Sequence, residues 1–551
     1  MKKLSIRLSL SLLAFSLLFG MSVRADIQFE LINITESLLL DGAGQLPGGG
    51  TIYQPELIED FYADNQYQPA WQDPVQVEQV LKLLAGSVED GLNPDDYHYS
   101  DLMALWEIRD QLAEQRDRAR ARFDLLLTDG IVLYVRHLLE GKVDPKLLDP
   151  TFNYARRDFD PQRVANNLRT LIAEDRIVEV VEQARPAFPF YLQMKAALVY
   201  YRGLAQAGAF RPISADTVLK PGMTHSVVSS LRKRLEETGY LAPGESRSQT
   251  YDQQLAETVK QFQDDHGLDV DGVVGGQSYE FLNMSWAARV DSLRINMDRI
   301  RWVSQDISDD FIVVNIAGFE LYYLRGGELI WETPVMTGTT EHQTPIFSER
   351  LKYLEFNPIW TVPRSIIARS LFPKFRANPQ YVSDNNYILY DHKGRAVDPH
   401  KIKWSQFSAK SFPYRVVQQP GDKNALGRVK FIFPNRYAIY LHDTPSRALF
   451  SRSARAFSSG CVRVKNPLEF AEVLLNDSDT WSLAQVEALV DSREPQRRVF
   501  LDRDVDVMLM YWTTSPTRAG KLQFHRDIYG KDPAALAALD ATQGVIGLAT
   551  K

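Results

Sequence analysis

The spacing of apolar residues divides the chain into a helical first half and a strand-rich second half. Between residue 55 and about residue 210, apolar residues recur at the i, i+3, i+4, i+7 spacing of a buried helix face. This periodicity predicts helices over residues 77–84, 123–134, 163–173 and 190–204. No polar constellation stands out among them, and we interpret the region as a helical scaffold.

A compact helical unit is predicted over residues 218–283. One amphipathic segment covers Val227 to Leu235, and a second runs from about Asp252 to His266. The unit resembles the small peptidoglycan-binding domain in the order of its motifs, which are Lys220-Pro221-Gly222, Gly239-Tyr240-Leu241, Val259-Lys260-Gln261-Phe262-Gln263 and Asp271-Gly272-x-x-Gly275. The sequence does not say whether this copy binds glycan or peptide.

From about Phe311, short runs rich in β-branched and aromatic residues predict strands. The Gly326-Gly327 dipeptide between two such runs predicts a hairpin. Strands are predicted over residues 311–316, 320–324, 328–338, 354–356 with 359–362, 429–433 and 438–441. Residues 468–475 and 481–489 follow as helices, and 505–512 with 522–524 as a closing pair of strands. The alanine- and glycine-rich residues 533–551 are predicted to be a flexible tail.

An interruption of about 65 residues, 363–428, separates two of the predicted strands. An insertion this long next to candidate chemistry is typical of a lid or cap over an active site. The alternative is a surface insertion without a function of its own.

The N-terminus has the pattern of an export signal. Lys2, Lys3 and Arg7 precede an apolar segment from Leu8 to Met21, and Val23-Arg24-Ala25 offers a cleavage site before Asp26. The alternative is an uncleaved membrane anchor. Removing residues 1–25 takes away four positive charges and no negative ones, so the net charge moves from −7 to −11. An acidic chain without basic runs argues against nucleic acid as a partner.

The chain has a single cysteine, Cys461, nineteen residues after His442. Exported proteins usually pair their cysteines as disulfides, so a lone thiol among small residues with a histidine nearby indicates a nucleophile. The main-chain N–H groups of Gly460 and Cys461 are candidates for an oxyanion hole, and Arg463 suits a substrate carboxylate. Taken singly, the cysteine could equally be a small buried hydrophobe and the histidine a structural residue. No metal or organic cofactor is implied, because His and Cys spacings typical of zinc or redox sites are missing.

These residues resemble a known family. His442-Asp443-Thr444 and Ser458-Ser459-Gly460-Cys461-Val462-Arg463 are similar to the active-site signature of the L,D-transpeptidase catalytic domain. Supporting segments are Pro334-Val335-Met336-Thr337-Gly338 with Thr344-Pro345, Asn357-Pro358-x-Trp360, and Leu426-Gly427-Arg428. The full layout resembles the large periplasmic members of Gram-negative bacteria, which combine a helical scaffold, a peptidoglycan-binding domain and a capped catalytic domain.

The resemblance implies a reaction and roles for the residues. Cys461 would attack the L-centre carbonyl of meso-diaminopimelate in a tetrapeptide stem and release D-Ala, and His442 would act as the base. The amine of a second stem would then resolve the acyl-enzyme into a 3→3 cross-link. Arg463, Ser459, Tyr440 and Trp360 are the expected substrate-binding residues. Carbapenems are expected covalent inhibitors, the periplasm is the expected compartment, and other cell-wall synthesis proteins are possible partners.

Two positions depart from the family pattern. Ser459 stands where many members have a second histidine, and Asp443 stands where many have glycine. Because Asp443 adjoins His442 in sequence, its side chain should point away, and we expect a main-chain carbonyl to orient the imidazole.

The sequence therefore predicts a multidomain α+β protein. Its expected parts are a signal peptide (1–25), a helical scaffold (26–217), a three-helix peptidoglycan-binding-like domain (218–284) and a mainly-β catalytic domain (300–530) with a cap (363–428). Alternative functions are an L,D-carboxypeptidase, an amidase that releases a lipoprotein from the wall, or a non-catalytic wall-binding scaffold. The acyl acceptor and the oligomeric state do not follow from the sequence.

Overall fold

The computed structural model describes residues 27–542 except 42–43, 48, 109–115, 155–159, 209, 245–246, 304–308, 476–480 and 518–520. The predicted signal peptide, residues 1–25, lies outside the described residues. No helix in the described part of the chain combines the length and apolar character that a bilayer span requires.

The N-terminal region is helical, as predicted. Three of its helices begin with an aspartate followed by proline, at Asp73, Asp144 and Asp160. Each aspartate side chain accepts a hydrogen bond from a main-chain N–H of the first turn. Each proline occupies the first helical position, where a main-chain N–H would have no partner within the helix. The helices are Ile27–Asp41, Pro55–Asp64, Pro74–Gly86, Tyr99–Ile108, Arg116–Glu140, Pro145–Leu148, Pro161–Ala173, Ile177–Ala184 and Pro189–Ala207.

The peptidoglycan-binding-like unit contains three helices, Val227–Glu237, Gln253–Asp265 and Gly276–Leu282. The second ends where expected, because Gly267 takes a positive φ of 62° that favours glycine just after a helix. A further helix, Trp286–Arg301, leads from this unit into the strands.

The catalytic region is built on one large sheet. Its strands are β1 (Asp310–Asn315), β2 (Glu320–Arg325), β3 (Glu328–Gly338), β4 (Phe347–Phe356), β9 (Val429–Ile432), β10 (Leu441–His442), β11 (Ala456–Ser458), β12 (Val462–Val464) and β13 (Arg497–Met510). They are arranged in the order β11-β3-β12-β10-β9-β4-β13-β1-β2, and β2 also pairs with β3. The sheet therefore closes into a ring of eight strands, with β11 attached to β3. Helices Pro467–Leu475 and Leu483–Asp491 follow β12.

One face of the sheet is the core. Leu441 on β10 registers with Phe431 on β9 and Val462 on β12, and all three side chains are buried. Successive residues of a strand point to opposite faces. The next positions on these strands, Lys430, His442 and Arg463, therefore share the other face.

The insertion predicted as a cap has its own structure. Its short helical segments are Arg364–Ile366, Ile367–Leu371, Phe372–Ala377, Gln380–Asp384, Pro399–Lys401 and Trp404–Gln406. A second sheet has the order β5-β8-β6-β7, from β5 (Trp360–Thr361), β6 (Tyr387–Tyr390), β7 (Ala396–Val397) and β8 (Arg415–Gln418). A separate apolar cluster that includes Phe372, Phe375, Trp404 and Phe412 holds these elements together.

Two strand predictions were wrong in detail. The run 438–441 is a strand only at Leu441, because Ala438 has a φ of 55° and the Asn435 side chain bonds both the N–H and the carbonyl of Ile439. Residues 505–512 and 522–524 do not form a closing pair. The first run belongs to β13, between β4 and β1, while β15 (Leu522–Phe524) pairs with β14 (Thr514–Pro516).

The expected tail is partly ordered. Asp532–Asp540 form a helix, and residues 543–551 lie outside the described part. The helix is held because Ala535 and Leu539 are buried and because the Leu539 carbonyl accepts a hydrogen bond from the Lys142 ammonium at 2.7 Å. Lys142 is also paired with Asp96 at 2.6 Å, so this helix is fastened to the scaffold.

Candidate active site

The sheet register brings His442 and Arg463 together. They face each other across the parallel strands β10 and β12. Cys461 immediately precedes β12, two residues before Arg463, and electrostatic interactions link Cys461 with Arg463 and with the Tyr440 hydroxyl. The Tyr440 ring stands perpendicular to the His442 imidazole, with 5.6 Å between centroids. Four of the residues predicted from the sequence thus occupy one site.

The turn before the thiol is fixed by hydrogen bonds. The Gly460 N–H donates to Ser458 Oγ at 3.0 Å, and Thr344 Oγ1 donates to the Gly460 carbonyl at 2.8 Å. Thr344 Oγ1 also accepts the Gly338 N–H at 2.9 Å, which explains why the Gly338 and Thr344 segments accompany the cysteine motif. In this conformation the Gly460 N–H is engaged within the turn, and of the two expected oxyanion donors only Cys461 remains a candidate.

Gly460 itself is required by the geometry. Its φ is 111°, in the region that favours glycine, and a Cβ there would lie 3.1 Å from Ile439 Cδ1. A side chain at this position would therefore shift the thiol.

The Cys461 thiol is half-buried. Its Sγ lies 3.8 Å from the Ala438 carbonyl oxygen, within reach of a weak S–H hydrogen bond. Burial raises the pKa of the thiol, and hydrogen bonds to Tyr440 and the charges of Lys430 and Arg463 oppose that rise. At neutral pH the resting cysteine is a thiol that needs a base.

His442 is suited to be that base. The residue is 4% exposed, and burial, followed by the charge of Arg463, lowers its pKa to about 3. The imidazole is therefore neutral at neutral pH. Nδ1 donates to the main-chain carbonyl of Asp443 at 2.5 Å, so Nε2 carries the lone pair of the neutral ring, and the Leu426 main chain also interacts with the imidazole. The orienting group is a main-chain carbonyl, as expected from the sequence.

The Asp443 side chain does not orient the imidazole but stabilises the neighbouring loop. Its carboxylate accepts the Arg428 N–H at 2.9 Å and Arg428 Nε at 3.1 Å. It also packs so closely on Gly427 that a Cβ there would lie 2.4 Å from it. The Leu426-Gly427-Arg428 segment is thereby held against β10.

Arg463 is a partly buried cation with unused hydrogen-bonding capacity. Its Nε is buried and has no hydrogen-bond partner among the described residues, and burial lowers the pKa of the guanidinium. A substrate carboxylate would supply the missing partner.

Sequence reasoning missed a row of charges across the sheet. Lys430 registers with His442 on one side and Glu355 on the other, and Glu355 registers with Arg498. The buried Glu355 carboxylate lies 3.6 Å from Lys430 Nζ and 3.4 Å from Arg498 Nε. Lys430 Nζ also lies 4.5 Å from the centroid of the Tyr440 ring. Only the pairing of β4 with β9 brings Glu355 here, and no local motif signals it.

Ser459 and Trp360 connect the site to the cap. Arg369, in the cap, donates to Ser459 Oγ at 3.0 Å and lies 2.6 Å from His342 Nε2. Arg369 thus links Ser459, the position that lacks the family histidine, to a histidine from another loop. Trp360 lies on β5, pairs with Gln418 of the cap sheet, and packs against the cap core.

Comparisons with known proteins agree with this architecture. Residues 309–491 match the L,D-transpeptidase catalytic domain, residues 224–282 match the "Putative peptidoglycan binding domain", and residues 56–198 match the "Scaffold domain". The molecule is therefore a multidomain α+β protein with a catalytic domain of known class. The match to the L,D-transpeptidase catalytic domain covers about a third of the chain.

A curated relative from Haemophilus influenzae (strain ATCC 51907 / DSM 11121 / KW20 / Rd) is named "Putative L,D-transpeptidase". It is 39% identical over 240 residues, which cover 44% of this chain and 48% of the relative. The chain thus matches about half the length of that relative.

Solved structures of L,D-transpeptidases are also similar. The protein from Xylanimonas cellulosilytica is 15% identical, with a TM-score of 0.18, covering 54% of this chain and 99% of that one. The protein from Stackebrandtia nassauensis is 12% identical, with a TM-score of 0.22, covering 55% and 97%. At these TM-scores the structural similarities carry no argument about fold or function.

Proposed function

We propose that this protein is an L,D-transpeptidase that forms 3→3 cross-links in peptidoglycan through a Cys461 acyl-enzyme. The observation that carries the proposal is a thiol that shares one site with a neutral histidine and a partly buried arginine, inside the region that matches the L,D-transpeptidase catalytic domain. The peptidoglycan-binding domain supports peptidoglycan as the substrate.

The first half-reaction transfers a proton and an acyl group. Sγ of Cys461 attacks the L-centre carbonyl of meso-diaminopimelate as the thiol proton passes to His442 Nε2. The tetrahedral oxyanion is stabilised by the Cys461 N–H and the adjacent cations. The C–N bond to the terminal D-Ala then breaks, His442 returns the proton to the leaving amine, and a thioester remains.

The second half-reaction reverses these roles. The side-chain amine of another stem attacks the thioester while His442 accepts its proton, and the thiol leaves. Arg463 holds a stem carboxylate in place, while Tyr440 and Trp360 line the approach. The Ser459–Arg369 contact closes the cap over the acyl-enzyme and keeps water away. Carbapenems are expected to acylate the same thiol.

We also infer that the protein works in the periplasm after export by residues 1–25. The acidic net charge and the peptidoglycan-binding domain support this compartment. Mass determination of the N-terminus from purified periplasm tests it: a start at Asp26 supports cleavage, and an intact Met1 would mean a retained anchor.

Intact-protein mass spectrometry of residues 26–551 tests the reaction. Wild type and Cys461→Ala are mixed with a purified disaccharide-tetrapeptide and, separately, with a carbapenem. The proposal predicts a covalent adduct on wild type only, together with D-Ala and a dimeric muropeptide. D-Ala without dimer would identify a carboxypeptidase, and no adduct with either compound would leave a wall-binding scaffold.

A further inference from the structure

A cavity of about 450 Å³ opens away from the catalytic site. It lies where helix Pro189–Ala207, the peptidoglycan-binding-like unit, helix Trp286–Arg301 and Lys521–Leu522 meet. Its lining includes Tyr200, Tyr201, Tyr240, His266, Arg289 and Lys521, and it contains no aspartate or glutamate. None of these residues belongs to the site around Cys461.

Arg289 is a buried cation on the wall of this cavity. The residue is 2% exposed, and no carboxylate of a described residue lies within ion-pair distance of it. The guanidinium donates to the main-chain carbonyls of Phe281 and Met284 and packs 4.7 Å from the Phe524 ring centroid. These contacts hold the side chain without neutralising it, and a buried charge without a counter-ion is costly.

The acidic side chains of this region interact with residues other than Arg289. Glu237 accepts a hydrogen bond from Arg234 Nε at 3.1 Å. Asp265 accepts one from Gln261 at 2.8 Å, and its charge contributes to raising the pKa of the Tyr240 hydroxyl. Arg289 therefore remains available to an anion that enters the cavity.

Two nitrogen or carbonyl acceptors in the lining also lack hydrogen-bond partners. His266 is 5% exposed, and its Nδ1 donates to the Phe262 carbonyl at 2.8 Å, while its buried Nε2 has no hydrogen-bond partner. Burial, followed by the charge of Arg289, lowers the pKa of His266 to about 3, so Nε2 is an acceptor. Gln193 Oε1 is another buried acceptor without a partner. Both call for an N–H or O–H donor on the ligand.

Aromatic faces complete the cavity. Tyr200 is half exposed at its edge and donates to the Glu237 carbonyl at 2.9 Å, which fixes the ring. Lys521 Nζ lies 4.5 Å from the centroid of the Tyr240 ring. Flat aromatic surfaces beside cations suit a sugar or peptide that carries a carboxylate.

We propose that this cavity is a second binding site, which takes a carboxylate-bearing fragment of peptidoglycan with N–H or O–H donors. Arg289 and Lys521 bind the carboxylate, and His266 and Gln193 accept the donors. The choice of polymer rests on the proposed function. The carboxylate comes either from a peptide stem or from the lactyl group of a glycan that has lost its stem.

Isothermal titration calorimetry with Cys461→Ala chains tests the site without turnover. The probes are a free tetrapeptide, a disaccharide with a free lactyl carboxylate, and a disaccharide-tetrapeptide. When Lys521→Glu or Tyr200→Ala is added to Cys461→Ala, the affinity for at least one probe should fall by about tenfold or more. Two control variants should keep their affinities within about twofold of the parent. Tyr200→Phe keeps the aromatic ring, and Lys352→Glu makes the same charge change on an exposed residue of β4.

The source of the carboxylate is identified by the probe whose affinity falls in Lys521→Glu and Tyr200→Ala. Equal affinity of the parent, Lys521→Glu and Tyr200→Ala for all three probes, with unchanged unfolding transitions, would overturn the second site. Weakening of the same size in Lys352→Glu would overturn it as well. The two proposals can also fail separately. If the wild-type protein forms no covalent adduct but probe binding still depends on Lys521, the second site is supported and only the proposed reaction is rejected.

Discussion

At the scale of single residues, the reactivity of Cys461 depends on what surrounds it. The thiol pKa is raised by burial and the imidazole pKa is lowered by burial, so both partners are neutral before substrate arrives. Proton transfer then accompanies attack, and no preformed ion pair is needed. The neighbouring charges set how easily the thiolate forms.

Glu355→Gln should make the thiol more acidic. Removing the negative charge beside Lys430 leaves the cations of the row unopposed, and they stabilise the thiolate. We expect the thiol pKa to fall by up to about one unit, measured from the pH dependence of iodoacetamide alkylation. Lys430→Gln is the opposite control and should raise it. Shifts of the same sign in both variants would contradict this account.

Gly460→Ala should disable the nucleophile without unfolding the protein. A Cβ at a φ of 111° is strained and lies 3.1 Å from Ile439, so the turn must move, at a cost of about 1–3 kcal/mol in stability. The carbapenem acylation rate should fall by about tenfold or more, followed by mass spectrometry.

The matched control for Gly460→Ala is Gly326→Ala. That hairpin glycine has a φ of 58°, and a Cβ there meets nothing within 4 Å. It should lose stability but keep its acylation rate. Normal acylation by Gly460→Ala would show that the turn does not position the thiol.

At the scale of elements, the cap is a small folded unit whose Arg369 side chain contacts the turn before Cys461. Arg369 spans from the cap to Ser459 and His342, while the aromatic cluster around Phe375 and Trp404 stabilises the cap itself. A change at Arg369 can therefore loosen the contact and leave the cap folded.

Arg369→Ala should shift the acyl-enzyme towards hydrolysis. With the contact to Ser459 lost, water reaches the thioester more often, and the ratio of hydrolysed to cross-linked product should rise by about twofold or more. Chromatography of the muropeptide products measures the ratio. Arg395→Ala is the control, because that exposed cap arginine pairs only with Asp391 among the ion pairs found here. An unchanged ratio in Arg369→Ala would argue that the cap does not exclude water.

The sequence was sufficient for elements whose signals are local. The periodicity of apolar residues predicted helices over 77–84 and 163–173, and these residues lie within the helices Pro74–Gly86 and Pro161–Ala173. The strand expected at Ala438 failed because the Asn435 side chain supplies hydrogen bonds that a neighbouring strand would otherwise make. Glu355 could not be predicted as part of the site, because its place depends on the pairing of β4 with β9.

At the scale of the whole molecule, buried histidines make folding sensitive to acid. Burial lowers the pKa of His442, His266 and His525 to about 3 and takes that of His137 well below its usual value. Since the unfolded chain binds these protons near pH 6.5 and the folded chain does not, lowering the pH stabilises the unfolded state relative to the folded one. The stability contributed by neutral histidines is full above about pH 6.5 and is lost progressively towards pH 3.

We therefore expect the Tm to fall steadily as the pH is lowered from about 6.5 to 4, measured by circular dichroism. His525→Asn removes one of these groups and should make the decline shallower. His400→Asn, at an exposed position on the cap, should leave the slope unchanged. A Tm that stays constant over this pH range would contradict the prediction.

The helix Asp532–Asp540 has a consequence for the order of synthesis. Its Leu539 carbonyl and its Asp540 carboxylate bind Lys142 and Arg294, residues that leave the ribosome hundreds of positions earlier. Lys142 cannot donate to the Leu539 carbonyl until this helix, which is synthesised last, has folded against the scaffold. A chain that is still being synthesised therefore lacks these contacts, and a protease would meet it in a more open form than the finished protein.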